Sequence, residues 1–150
     1  MPGFIAFGRV LFAVLFIYSG ATKLLAIQAT ADSFAAKITI PEIAAPYAHQ
    51  LETLAAMPIM QLIAISVGVF EVIAGLMIAL NWLVRFVSIL LIILVVGATF
   101  YFHDFWNQPA PDNAHTLMEA LKNLSIIGAL FILAGYGRTP RSTEAAYGDA

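Results

Sequence analysis

The chain has 150 residues, of which 61% are hydrophobic and only 11% charged. A soluble domain carries about half apolar and about a quarter charged residues, and a chain this short cannot bury so much apolar surface under so few polar groups. A soluble globular fold is excluded. The net charge of -2 offers no basic field to nucleic acid, and the absence of cysteine rules out disulfides, iron–sulfur clusters, thiolate zinc sites and any cysteine relay within the chain. What remains is an all-α integral membrane four-helix bundle, a single domain over residues 1–150.

A bilayer crossing needs about 20 apolar residues at 1.5 Å rise. The first such run is 4–27. Its Ser19-Gly20-Ala21 stretch is reminiscent of a signal-peptide cleavage site, but no basic segment precedes it, so a retained helix is expected. The connection 28–57 is too long for a plain turn. Its second half, Glu42 to Ala56, mixes apolar and polar residues at helical spacing and is expected to lie on the membrane surface as a lid, short or kinked because of Pro46. The second span is 58–80, with Pro58 in its first turn. Asn81-Trp82 leaves room only for a tight hairpin before the third span, 82–102. Trp82 at one end and Tyr101 and Trp106 at the other suggest interfacial aromatic belts. Asn107 to Asn113 is a polar, proline-rich loop, and the fourth span, 117–136, closes at Gly135 and Gly137.

Four spans put both termini and the Asn81 hairpin on one side, with Arg9, Arg85, Arg138 and Arg141. The other side holds Lys23, Lys37 and Lys122 with most of the acids. The positive-inside rule then expects both termini in the cytoplasm.

A charge in the middle of a span costs about 2.5–3.5 kcal/mol on insertion scales, so the polar positions carry the information. Arg9, Phe12, Phe16, Ser19 and Lys23 form one stripe on the first helix. Ala64, Gly68, Glu71, Gly75 and Ala79 form one on the second, Arg85, Ser88, Ile92, Thr99 and His103 one on the third, and Lys122, Ser125, Gly128, Ile132 and Gly135 one on the fourth. These faces are expected to converge on the bundle axis. Depth then predicts an inner carboxylate–guanidinium layer of Glu71 with Arg9 and Arg85, and a cationic outer layer of Lys23, Lys122 and His103. Between them lies an apolar cavity lined by Phe12, Phe16 and the small residues of the second helix. Plainer readings stand beside these. Arg85, Arg138 and Arg141 serve as topology anchors, Lys23 and Lys122 snorkel to headgroups, Arg9–Glu71 is a structural pair, and His49 and His115 are loop residues. No His-x-x-x-His or Glu-x-x-His pair occurs, so neither metal nor haem is expected. Gly135-Tyr136-Gly137 ends a helix and is no nucleotide loop.

Gly8-Arg9, Ser19-Gly20-x-x-Lys23, Glu71-x-x-x-Gly75, Arg85, His103, Lys122-Asn123-Leu124 and Gly135-x-Gly137-Arg138 together resemble the DoxX family pattern, from about Gly8 to Arg138. The connection 28–57 and the tail are the least similar parts. The resemblance implies a four-helix inner-membrane protein tied to quinone or sulfur redox chemistry. On that basis the leading expectation is a quinone-interacting subunit of a thiosulfate- or thiol:quinone system. Glu71 and His103 are the proposed catalytic groups, with Lys23, Lys122, Arg9, Ser19, Phe16 and Arg85 binding quinone or substrate. The partners expected are lipid and a membrane redox subunit, with a homo-oligomer left open. A structural or assembly subunit is the first alternative and a small-molecule transporter the second.

Overall fold

The computed structural model describes residues 2–136, and among these every element is helical. Helices α1 (Pro2–Leu25), α4 (Ile59–Ala79), α5 (Val84–Phe102) and α6 (Asp112–Tyr136) are joined by the short α2 (Ile27–Ala35), α3 (Ala45–Ala55) and a 3₁₀ turn, Phe105–Asn107. Four stretches are long and apolar enough to cross a membrane: Gly3–Leu25, Ile59–Ala79, Val84–Asn107 and Asn113–Gly135. In hydrocarbon only such helices satisfy their own backbone groups. The tail from 137 onward, with Gly137, Arg138 and Arg141, lies outside the described residues.

Each boundary has a local cause. The α4–α5 hairpin is a Schellman turn. Asn81 takes the left-handed conformation at φ 58°, one that asparagine tolerates. Its N–H donates to Ile78 O at 3.1 Å, while the Trp82 N–H reaches Met77 O at 2.8 Å. At the other end, Pro58 stands just before α4, and Glu52 of α3 accepts the Ile59 N–H at 2.9 Å. The fourth helix starts five residues earlier than the apolar run suggests, because its first turn is polar.

The tightest packing joins α1 to α4. A Cβ on Gly68 would stand 2.9 Å from Leu24, and one on Gly75 would stand 2.7 Å from Ile17 and 3.0 Å from the Ala13 carbonyl. These glycines are a packing seam, not cavity lining as expected, because small residues let helix backbones meet. Ala13, Phe16, Ala74, Ile78, Val87, Leu91, Val95 and Leu130 form the main core, nearest the hairpin end of the bundle. Among the described residues, no Cα of α1 comes within 8 Å of one in α5 or α6. The bundle is therefore closed by side chains at the hairpin end and is open at the other.

That other end carries α2, where the sequence suggested only a connection. Ala31 and Phe34 pack with Ala64 and lie against Ile63 and Phe102, and the Phe34 and Phe102 rings sit 5.4 Å apart. Lys37 pairs with Asp104 at 3.6 Å. The cover over the bundle is thus α2. Helix α3 has no buried residue. Its Tyr47, Leu51 and Leu54, with Ile43 in the turn before it, are exposed, as suits a helix lying at a membrane surface.

The fourth-helix stripe is corrected. Lys122, Ser125, Gly128, Ile132 and Gly135 are all exposed, and α6 instead turns Ala120, Asn123, Ile127 and Leu130 inward. Leu130 is fully buried. In hydrocarbon no side chain gains by leaving water, so the face that packs is decided by close contact, and here it is the face carrying Ile127 and Leu130 that fits the other helices.

Candidate functional site

At the open end the four long helices and α2 surround a cavity of about 580 Å³. Its walls are apolar, supplied mainly by Leu15, Phe16, Phe34, Ile63, Val67, Leu94, Val95 and Phe102. Among the described residues, six polar side chains reach it: Ser19, Lys23, Glu71, Tyr101, His103 and Asn123.

Three of them form one cluster. Lys23 Nζ donates to Ser19 Oγ at 2.7 Å and to Glu71 Oε2 at 2.8 Å, with a longer approach to the Ser19 carbonyl at 3.4 Å. Ser19 and Lys23 lie one helical turn apart, so both face the same way. The α1–α4 seam brings Glu71 opposite them. The glutamate side chain is 9% exposed and the lysine 22%. Such a pair stands largely out of water, where each partner depends on the other. The Ser19 hydroxyl accepts from Lys23 and donates to no protein group among the described residues. Its proton is free to point into the cavity.

On the far wall Asn123 of α6 donates to Thr99 Oγ1 at 3.0 Å, and Thr99 in turn donates to the Val95 carbonyl at 2.7 Å. His103 stands at the end of α5, half-buried on the rim.

Of the residues singled out from sequence, Glu71, His103, Lys23, Ser19 and Phe16 share this cavity, whereas Arg9, Arg85 and Lys122 do not line it. The expected carboxylate–guanidinium layer does not form. Arg9 precedes Ser19 by ten residues, about 15 Å along α1. Its Nε is buried without a hydrogen-bond partner among the described residues, and Arg85 is exposed on α5. Lysine, not arginine, meets the glutamate, because the register of α1 on α4 is set by the glycine contacts. The cationic outer layer also fails to form. Lys23 is paired with Glu71, Lys37 with Asp104, and Lys122, at 60% exposure, with Glu119 on the outer face of α6. Phe12 packs against the core instead of lining the cavity.

Asn123, Tyr101 and Phe34 were missed as cavity residues. Asn123 was detectable, since steps 123, 127, 130 place it on the same stripe as Ile127 and Leu130. Phe34 gave no signal, because nothing in 28–57 indicated where that segment would dock.

Four bilayer-length helices around a largely apolar cavity, open at one end, define a multi-pass membrane helix bundle. The model of the DoxX family matches residues 4–104, about two-thirds of the chain, and the protein belongs to the DoxX family. The match covers α1 to α5 with the Lys23–Ser19–Glu71 cluster and ends before α6. No curated protein and no solved structure matches the chain.

Proposed function

We propose that the protein is a quinone-interacting subunit of a membrane redox system, with both termini in the cytoplasm of a bacterial inner membrane and the cavity in the outer half of the bilayer. One observation carries the reading. A charge-balanced Lys23–Ser19–Glu71 cluster sits in a cavity that is otherwise nearly all hydrocarbon. An anionic occupant would need an unpaired cation, and the one lysine that lines the cavity is paired with Glu71 while Arg9 and Arg85 do not line it. An uncharged head with carbonyl acceptors, carried on an apolar body, suits the cavity better.

Reduction of a quinone to a quinol adds two electrons and two protons, one proton to each carbonyl oxygen. The free Ser19 hydroxyl and the Lys23 ammonium are placed to donate hydrogen bonds to the nearer oxygen. Lys23 can pass one proton there and regain it from water at the open end, a return that the Glu71 carboxylate favours while holding the lysine in position; the second proton also comes from water, by way of the rim. His103 and Asn123 are the polar groups on offer to the other oxygen. The electrons would come from a partner subunit that oxidises an external thiol to a disulfide or thiosulfate to tetrathionate.

The test uses the reconstituted protein with a decyl-tailed benzoquinone. Glu71→Gln is expected to retain the helical fold while quinone affinity, or turnover in the presence of the donor, falls at least tenfold. Wild-type protein that binds no quinone, or a Gln variant indistinguishable from it, would remove the proposal.

A further inference from the structure

The cavity does not end at its buried cluster. Three of its lining residues, all on membrane-spanning helices, are themselves well exposed: Leu15 at 43%, Ile93 at 64% and Tyr101 at 45%. Ile93, Gly97 and Tyr101 follow one another at steps of four, so they form a single stripe along α5. In the middle of that stripe Gly97 leaves a notch, since a Cβ there would meet nothing within 4 Å. Every other residue from Ile89 to Ala98 carries a side chain. The interruption therefore falls on an exposed stretch of the cavity wall.

We infer that the cavity is loaded sideways from the bilayer along the Ile93–Gly97–Tyr101 groove of α5, and that the groove seats the apolar tail of the molecule whose head lies at Lys23, Ser19 and Glu71. The groove and the cluster are parts of one continuous space, which commits the occupant to a single amphiphile with an uncharged head and a flexible hydrocarbon tail. Water-soluble analogues without a tail would use the cluster alone. A tail laid over Gly97 exchanges lipid neighbours for protein ones, so its gain comes from shape and contact more than from leaving water. A side chain at position 97 would take that space directly.

This inference rests on the quinone reading, and the experiment separates the two. Because the chain has no cysteine, Gly97→Cys allows a single nitroxide label in reconstituted protein. The label is expected to be quenched by oxygen, which concentrates in the bilayer, and shielded from a water-soluble nickel chelate. Collision with the chelate, or with neither reagent, would overturn the lateral opening whatever the ligand is. Gly97→Leu, which has room to fold, is then compared with wild type for a decyl-tailed and a tail-less benzoquinone. Affinity for the decyl compound is expected to drop at least tenfold, and for the tail-less compound to change less than twofold. Equal loss of both, or loss of neither, overturns the tail groove. Failure of the wild type to bind either quinone removes the quinone reading, while the labelling result at position 97 still decides the lateral opening by itself.

Discussion

Gly20 and Glu71 are locked together by backbone: a Cβ on the glycine would stand 2.9 Å from the Cβ of the glutamate and would run into the Gly68 carbonyl oxygen. The carboxylate that meets Lys23 is therefore placed by how closely two helices approach, not by its own rotamer preference. Polar chemistry in this bundle depends on an apolar seam.

Removing one member of the Lys23–Glu71 pair leaves the other buried and uncompensated, which costs roughly 3 kcal/mol or more. Lys23→Met and Glu71→Gln are each expected to destabilise the protein, the former by more because it strands a carboxylate. The double variant should lose clearly less than the sum. Denaturant titration in mixed micelles across the four proteins checks this, and simple additivity would show that the 2.8 Å contact is not an energetic one.

Substitutions at glycine should divide by location. Gly20→Val places bulk against the Gly68 backbone and is expected to cost about 2–3 kcal/mol as α1 and α4 are forced apart. Gly128→Ala meets open space on the outer face of α6, and should gain up to about 1 kcal/mol from helix propensity. Thermal unfolding of both variants tests the contrast. A neutral Gly20→Val would mean that the seam is slack.

Ser88 is fully buried in α5, and its Oγ has no hydrogen-bond partner among the described residues. An unsatisfied buried hydroxyl costs about 1–3 kcal/mol, so Ser88→Ala should be neutral or stabilising by about 1 kcal/mol. A loss of stability in the same unfolding assay would indicate an acceptor for that hydroxyl.

Arg85 and Lys122 point away from the cavity. Ala substitutions at these two positions are expected to leave affinity for decyl-tailed benzoquinone within twofold of wild type, while Lys23→Met lowers it at least tenfold. Equilibrium titration of the reconstituted variants reads this directly. A tenfold loss in Arg85→Ala would move the site toward the hairpin end.

Much of the architecture was legible in the chain itself. Composition and apolar run length define four bilayer crossings, because the bilayer's thickness imposes one length on any helix that spans it. Asn81 marked the hairpin, and the steps from Phe16 through Ser19 to Lys23 and from Gly68 to Glu71 already put those residues on shared faces. Periodicity, however, is a property of one helix at a time. It assigned the wrong face to α6, where a stripe of Lys122, Ser125 and Gly128 competed with one of Ile127 and Leu130. It also paired Glu71 with arginine. Which lysine reaches which carboxylate depends on how far one helix slides along another, and that sliding is set by contacts such as Gly20 on Gly68, between residues 48 positions apart. The descent of α2 onto Phe102 is likewise a long-range contact with no local code. The sequence alone thus determined the number of spans and their amphipathic faces. Interhelical register, and with it the composition of the cavity, was decided only where close-packed surfaces had to fit.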